Sequence, residues 1–245
     1  MKHLKFFATL FVAACLLFLS SCNSAGDTKA VTPPPDSTVA SKKDSLPAPV
    51  PTPGPKMLML ISHKVANYAK WKMGYDAHDS VRQSYGLHNY MISRGLMDSN
   101  IILIALKMDD LAKAKTMAAS PGMKDRMKKG GVVGPTAIDY LETIDYDTAG
   151  MLTSPRLSMR HKVKDFDAWK KVYDSDKQAR MDAGLTDRVL GFLNGDHNNV
   201  TLVFSVADVE KAKAFGNSKE LQEKMMKAGV IGKPSTFFYK VAERY

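Results

Sequence analysis

The stretch HKVANYAKWKMGYDAHDSVRQSYGL at residues 63–87 is written a second time, as HKVKDFDAWKKVYDSDKQARMDAGL, at residues 161–185. Both copies place His-Lys-Val, Trp-Lys, Tyr-Asp, Arg and Gly-Leu at the same internal spacing. A repeat of this kind decides the fold, because each copy is expected to form the same structural unit. The chain is therefore predicted to contain two similar domains in tandem.

The repeat extends well beyond the quoted stretch. At a constant offset of 98, residues 63–134 align with residues 161–232 without a gap, and 22 of these 72 positions are identical. After them Lys233 is interpreted as a one-residue insertion, which aligns Pro135 with Pro234. This degree of identity over a constant offset indicates a duplication.

Each repeat is long enough for a small domain and too long for a solenoid unit. We assign residues 56–148 to the first repeat and residues 149–245 to the second. Apolar strand patterns, turn residues and helix end signals predict the same order in both: strand, helix, strand, strand, helix, strand. The strands predicted for the first repeat are Met57 to Val65, His88 to Gly95, Ile101 to Met108 and Thr136 to Thr143.

Capping residues define the predicted helices. Asn67 is the N-cap of a helix that is predicted to run to about Tyr85 and to end at Gly86, where a C-terminal glycine is expected. Asp110 caps a second helix, and Ser120, followed by Pro, restarts it. Both helices are therefore predicted from their ends as well as from their apolar faces.

This order of elements is that of the split βαβ, or ferredoxin-like, unit. Helices cover one face of such a sheet, and the other face needs a partner. With its Trp-Lys, Arg, Gly-Leu and Gly-Val-x-Gly framework, the chain over residues 57–245 resembles the dimeric α+β barrel superfamily, which includes the antibiotic-biosynthesis monooxygenase-like proteins, with both subunits fused. The resemblance implies an α+β fold of tandem ferredoxin-like βαββαβ repeats. Their two sheets would pack face to face as an intramolecular pseudo-dimeric barrel, so the chain is expected to be a monomer.

The N-terminus has the features of an exported protein. Basic residues precede an apolar run at residues 6–19 that is too short to span a membrane stably, which predicts a signal peptide over residues 1–21. The run ends in LSSC, which resembles the bacterial lipobox, in which the Cys, here Cys22, becomes lipidated; an ordinary secretory signal is the alternative. The proline-rich residues 22–55 predict an extended tether. We therefore expect a cell-envelope protein, on the periplasmic side or the cell surface, whose partner is the lipid bilayer.

Composition excludes several kinds of chemistry. Cys15 lies in the signal peptide and Cys22 would carry the lipid, so the folded part has no Cys for a disulfide, a thiolate site or a nucleophile. The formal net charge of +10 is typical of nucleic-acid binding, but export argues against that partner. Solvated helix faces account for most lysines, with anionic head groups or cell-wall phosphates as the alternative partner. No dinucleotide loop, Ser-His-Asp order or zinc motif occurs, and no metal is predicted.

The first helix and first strand of each repeat carry the candidate site residues. Helical spacing places aromatic, His or Asp, and Arg side chains on one inward face, where a buried guanidinium needs partners. Strand alternation places a His at the strand end, beside the start of this helix. The predicted ligand-binding residues are His63, Trp71, Tyr75, His78 and Arg82 in the first repeat and His161, Trp169, Tyr173, Asp176 and Arg180 in the second.

Two interpretations of these residues remain open. They could be structural, with the His bonded to the loop, a core Trp and an Arg that holds the helix end, or they could line a pocket. Asp176 is expected to pair with Arg180 at i, i+4, a position where the first repeat has His78. The first repeat is richer in proton-transfer groups, so His63 and His78 are the catalytic candidates. Drift between two structural halves explains the same difference.

The sequence therefore leaves two function classes. One is a lipoprotein whose fused barrel binds a small apolar or aromatic ligand, which needs a cavity beside Trp71 or Trp169. The other, implied by the resemblance, is a monooxygenase-like or haem-handling enzyme. The cofactor is unknown: haem or none. We favour the binding protein, since the shared framework carries no catalytic signature.

Overall fold

The computed structural model of the chain describes residues 54–147 and 155–245. A compact unit runs from Pro47 to Tyr245. The predicted signal peptide, Cys22 and nearly all of the tether lie outside the described residues, as does the predicted boundary between the two repeats.

The two halves contain the same elements in the same order, with each predicted helical region divided into two helices. The first half consists of β1 (Met57–Val65), α1 (Tyr68–Asp76), α2 (Asp79–Ser84), β2 (Leu87–Gly95), β3 (Ile101–Met108), α3 (Leu111–Ala119), α4 (Pro121–Lys129) and β4 (Val132–Tyr146). The second half consists of β5 (Arg156–Val163), α5 (Phe166–Ser175), α6 (Lys177–Asp182), β6 (Leu185–Leu193), β7 (Asp196–Val206), α7 (Val209–Gly216), α8 (Lys219–Lys227) and β8 (Val230–Arg244).

The eight strands form one closed barrel in the order β1-β3-β2-β8-β5-β7-β6-β4. Every neighbouring pair is antiparallel. Each repeat contributes four consecutive strands, and the two four-stranded sheets join at β2–β8 and at β4–β6. The fold is therefore α+β, a fused pseudo-dimer of ferredoxin-like units, as predicted. The two sheets are hydrogen-bonded to each other at both edges, which closes the predicted pseudo-dimeric barrel.

The last strand of the first repeat is longer than predicted at both of its ends: its start pairs with β1 beyond a β-bulge, and its end pairs with β6. Strand β4 has 15 residues instead of the eight from Thr136 to Thr143. Leu141 pairs with Leu58 of β1 on one side and with Leu193 of β6 on the other. A strand that joins two sheets must continue past the end of its own sheet, and the sequence of one repeat gives no sign of that second partner.

The strand register shows that the two repeats have the same length throughout. Ala137 pairs with Ser62 in the first half, and Ser235, 98 positions later, pairs with Arg160 in the second. The constant offset therefore holds beyond the β-bulge that precedes this pair in each half. The interpretation of Lys233 as an insertion was wrong: it is part of a bulge that both repeats contain.

Strand alternation divides the core into three clusters. Met59, Ile61 and Val65 of β1 face the helices of the first half, and the second half has an equivalent cluster under its own helices. Leu58 points the other way, into the barrel, where it packs with residues of both repeats, including Tyr239. An eight-stranded barrel is just wide enough for its side chains to fill. The barrel interior is accordingly a packed core, and space for a ligand lies between the sheet and the helices.

The long first helix predicted in each repeat is broken in its middle. Asn67 caps α1 as predicted, with its side chain accepting a hydrogen bond from the Lys70 N–H at 2.9 Å, and Gly86 ends the segment with φ 67°. At His78, however, the backbone leaves the helical region (φ −109°, ψ 23°), and Asp176 does the same in the second half. The break turns the following short helix so that its Arg reaches the sheet. No described helix is long and apolar enough to cross a membrane.

Candidate functional site

In the first half, aromatic rings stack between the sheet and helix α1. The ring of His63 meets that of Trp71 edge-on, with centroids 5.7 Å apart. Trp71 stacks on Tyr75 at 5.1 Å, and the guanidinium of Arg82 lies 3.7 Å from the centre of the Tyr75 ring on its other side. The structure therefore brings together four of the five residues predicted from the sequence of the first half in one continuous stack.

The second half repeats this stack almost unchanged. His161 meets Trp169 edge-on at 5.3 Å, Trp169 stacks on Tyr173 at 5.0 Å, and the Arg180 guanidinium lies 3.7 Å from the Tyr173 ring centre. Stacked aromatic rings and cation–π contacts each stabilise such a cluster by about 0.5 to 2 kcal/mol. Both halves thus hold their Trp, Tyr and Arg side chains in fixed positions.

The Arg at the end of each stack is held by a residue that the sequence analysis missed. In the first half Asn89 Oδ1 accepts from both the Arg82 Nε at 3.0 Å and the Tyr75 hydroxyl at 2.6 Å. In the second half Asp187 accepts from Arg180 and Tyr173 in the same way. Both acceptors lie on the second strand of a repeat, and they occupy equivalent positions 98 residues apart. The repeat of a polar residue at this strand position was the signal that could have identified them.

These contacts satisfy the two buried guanidinium groups. Arg180 Nη2 also lies 2.8 Å from the second carboxylate oxygen of Asp187, and its Nη1 donates to the Tyr173 carbonyl at 2.5 Å. Burial opposes the ionisation of Asp187, but the hydrogen bonds and charge of Arg180 outweigh it and hold the pKa of that carboxyl below its usual range. Each Arg therefore acts as a clamp between helix and sheet, as the structural interpretation expected.

The two histidines do not make the hydrogen bond that the structural interpretation expected. His63 and His161 are only 5% and 6% exposed, and within the described residues neither ring nitrogen of either side chain has a hydrogen-bond partner. The expected hydrogen bond from the imidazole to the loop is absent. Burial lowers the pKa of both side chains from 6.5 to about 4, so both are neutral at pH 7.

The equivalent residues His78 and Asp176, which differ between the repeats, do not pair with the Arg side chain of their own half. Asp176 pairs with Lys224 of α8 at 2.5 Å, whereas Arg180 binds Asp187, so the predicted Asp176–Arg180 ion pair was wrong. Asp176 stands at the break as the N-cap of α6, with non-helical backbone angles, and its side chain reaches Lys224 instead. His78 instead places Nδ1 2.5 Å from the Gly74 carbonyl.

A cavity lies beside the stack in each half, and the two cavities differ greatly in size. The cavity in the second half has a volume of about 690 Å³, and the one in the first half has about 200 Å³. All ten predicted ligand-binding residues line the cavity of their own half. Whether they bind a ligand remains a prediction. The larger cavity is in the second repeat, although the first repeat has more proton-transfer groups.

Two of the positions that differ between the repeats lie beside the cavities. Met117 is 2% exposed and fills the first half, whereas its equivalent Phe215 is only partly buried. Ile138 packs against the core of the first half, and its equivalent on the wall of the second cavity is the smaller Thr236. Among the described residues, no group of three His, Cys, Asp or Glu side chains could hold a metal ion.

Comparison with known proteins bears on the fold alone. No family model and no curated protein matches the chain. The solved structure of an anthrone oxidase-like protein has a TM-score of 0.51 and 13% identity, covering 80% of this chain and 95% of that one. A candidate monooxygenase from Fusobacterium nucleatum (TM-score 0.48, 12% identity, 76% and 92% coverage) and one from Lactobacillus acidophilus (0.47, 10%, 77% and 94%) are less similar in structure.

These observations define a class of protein. The chain is a pseudo-dimeric α+β barrel in which one polypeptide supplies both ferredoxin-like halves. Its two sites share one framework of His, Trp, Tyr and Arg, and the second half has the larger cavity.

The Arg180 clamp can be tested with the residue that the first repeat uses. Replacing Asp187 by Ala should lower the free energy of unfolding by about 2 to 3 kcal/mol, because it removes an ionised acceptor from a buried guanidinium. In a Lys177→Asp background, which reproduces the Asp79 carboxylate beside Arg82, Asp187→Asn should lower it by only about 1 kcal/mol, since the amide oxygen can still accept from Arg180 and Tyr173. Urea denaturation of the compact unit measures both changes.

The matched control is Asp174→Ala, which removes an exposed helix ion pair with Lys170 and should change the free energy of unfolding by about 0.5 kcal/mol or less. Equal losses for Asp187→Asn and Asp187→Ala would mean that the carboxylate charge, rather than the shared acceptor geometry, holds the Arg.

Proposed function

We propose that this protein is a membrane-anchored lipoprotein of the cell envelope whose second repeat binds a small apolar or aromatic molecule. The observation that carries the proposal is the cavity of about 690 Å³ beside Trp169. Ligand sites are typically concave, largely apolar cavities of about 300 to 1,000 Å³ with a few polar groups. The cavity in the first half is smaller than that range.

The walls of the second cavity suit an apolar ligand. Phe204, Phe238 and Leu202 lie on its sheet side, and Met225 and Leu221 come from helix α8. Methionine side chains are flexible and polarisable, so they adapt to ligands of irregular shape. Trp169 also lines the cavity and adds aromatic surface to its wall.

The proposed membrane anchor is supported by the sequence alone. The short apolar run that ends in LSSC at residues 19–22 supports lipidation of Cys22, and the proline-rich segment after it would serve as the tether. Stable anchoring takes two acyl signals, which a lipidated N-terminal Cys would supply. The barrel would then work at a membrane surface, outside the cytoplasm.

An oxygenase or haem-handling enzyme is the second candidate. It is favoured by the neutral His161 on the cavity wall beside Trp169, and the anthrone oxidase-like protein of similar fold is compatible with it. His161 would be the residue that holds haem iron. A shift of the haem Soret band on addition of the protein, lost in His161→Leu, would favour this candidate over simple binding.

Ligand binding can be followed with tryptophan fluorescence. The chain has two Trp residues, so Trp71→Phe leaves Trp169 as the only reporter. Titration of this variant with nitrobenzene should quench the fluorescence saturably, because the aromatic quencher would enter the cavity beside the indole. The reciprocal variant Trp169→Phe reports on Trp71 and should show only weak, linear collisional quenching.

The control variant adds side-chain volume to the wall of the second cavity with a residue of the first repeat. Thr236→Ile should weaken nitrobenzene binding several-fold in the Trp71→Phe background, because the larger side chain occupies part of the cavity. Linear quenching in every variant, or an affinity that Thr236→Ile leaves unchanged, would overturn the binding proposal.

Lipidation can be tested with the two cysteines of the chain. In bacteria fed labelled palmitate, the wild-type chain should carry the label and sediment with membranes, because Cys22 would be acylated. Cys22→Ala should lose both properties, and Cys15→Ala should keep both, since Cys15 lies in the proposed signal peptide. Labelled Cys22→Ala protein in the membrane fraction would contradict the proposed anchor.

We propose further that the compact unit is a monomer. The barrel closes within one chain, so among the described strands no sheet edge is left for a second copy to pair with. Light scattering on residues 47–245 should give the mass of one chain across a tenfold range of concentration. The mass of two chains would show that some other surface associates.

A further inference from the structure

His161 is a buried polar residue on the wall of the second cavity. Its side chain is 6% exposed and packs edge-on against Trp169. Neither of its ring nitrogens has a hydrogen-bond partner within the described part of the chain. A buried polar group without a partner is destabilising by about 1 to 3 kcal/mol, because it loses its hydrogen bonds to water. Both nitrogens are covered by protein atoms, so a polar group of a bound molecule can satisfy one of them only when the ring turns toward the cavity.

A β-bulge lies opposite His161 and completes this part of the wall. The register between β5 and β8 shifts between Arg160 and Lys162, and residues 232–234 on β8 line the cavity at that point. Gly232 has a φ of 70°, a conformation that glycine adopts without strain. Bulges often occur beside functional sites, where they redirect side chains. The equivalent residues 134–136 do not line the smaller cavity beside His63.

Most charged residues of this cavity wall form ion pairs. Arg180 pairs with Asp187 at 2.8 Å, and Lys224 pairs with Asp176 at 2.5 Å. The other charged residues of the wall are Lys213, which pairs with Glu210 at 2.8 Å, and the exposed Lys233 of the bulge. The buried part of the wall at His161 therefore offers hydrogen bonds without an unmatched charge.

A neutral imidazole has one N–H donor and one nitrogen acceptor. A hydroxyl group matches either nitrogen, since it can donate to the free nitrogen or accept from the N–H. An ionised carboxylate would leave water for an apolar cavity and could only accept, which makes its burial much less favourable. An apolar ligand without polar groups would leave both nitrogens unsatisfied.

We propose that the second cavity selects apolar molecules that carry one uncharged hydroxyl group, and that the imidazole of His161 binds this hydroxyl. This inference rests on the proposed function of the same cavity and names the chemical class of its ligand. His161 is then the residue that determines specificity, while Trp169 and the apolar wall supply the affinity that any compound of suitable shape would gain.

Calorimetric titration of the compact unit with three matched probes tests the proposal. The probes are naphthalene, 2-naphthol and 2-naphthoate, which share one ring system and differ only in having no polar group, a hydroxyl or a carboxylate. The wild-type protein should bind 2-naphthol at least tenfold more tightly than 2-naphthoate at pH 7. The affinity for 2-naphthol should also stay constant between pH 5.5 and 8, because His161, with a pKa of about 4, remains neutral over this range.

Three variants test whether the imidazole of His161 binds the hydroxyl. His161→Phe keeps the ring against Trp169 and removes both nitrogens, so the ratio of 2-naphthol to naphthalene affinity should fall about tenfold. His63→Phe is the matched control in the first repeat and should leave that ratio unchanged. His161→Gln, which again supplies a donor and an acceptor, should restore most of the ratio.

The outcomes separate this inference from the proposed function. If neither naphthalene nor 2-naphthol binds the wild-type protein, the binding function itself is wrong. If both bind and the ratio is the same in wild type and His161→Phe, the cavity binds ligands but His161 does not select a hydroxyl. Should His161→Phe fail to fold, equal wild-type affinities for 2-naphthol and 2-naphthoate would overturn the inference without any variant.

Discussion

The pairing of β4 and β8 on both of their sides is the constraint on which the rest of the structure depends. An open sheet edge exposes backbone groups that would pair with another chain, and a four-stranded ferredoxin-like sheet has two such edges. Here each long last strand continues past its own sheet and bonds to the second strand of a repeat in the other half. Closure fills the barrel with side chains and leaves the helices outside. A site for a ligand can then form only between the sheet and the helices of one half.

Much of the fold could be predicted because its signals are local. Asn67, Asp110 and Ser120 each cap a helix as their sequence context indicates, with side chains that accept from the N–H groups of the first turn. The alternation of side chains along β1 correctly predicted which of its residues face the helices. The length of β4 and the break at His78 could not be predicted in this way, since the first depends on a strand from the other repeat and the second on how the chain packs against the sheet.

The candidate site was predicted in part for the same reason. The stack of His, Trp, Tyr and Arg follows from helical and strand periodicity, which one repeat contains within itself. Asn89 and Asp187 were missed because a polar residue in a strand has no periodic pattern that marks it as the partner of an Arg seven residues before it. The difference in volume between the two cavities could not be predicted from the sequence either, since it depends on how side chains such as Met117 and Phe215 pack in the folded protein.

The joining of both halves in one polypeptide has a consequence for how such a barrel can change. In a symmetric homodimer every substitution appears twice, at two positions related by the two-fold axis, so an altered residue that weakens packing does so in both subunits at once. In this chain the equivalent residues Ile138 and Thr236 are encoded by separate codons, so each can change alone. One half can remain tightly packed and keep the barrel stable while the other half gives up core volume. Fusion thus removes the symmetry that would otherwise force both halves to keep the same interior.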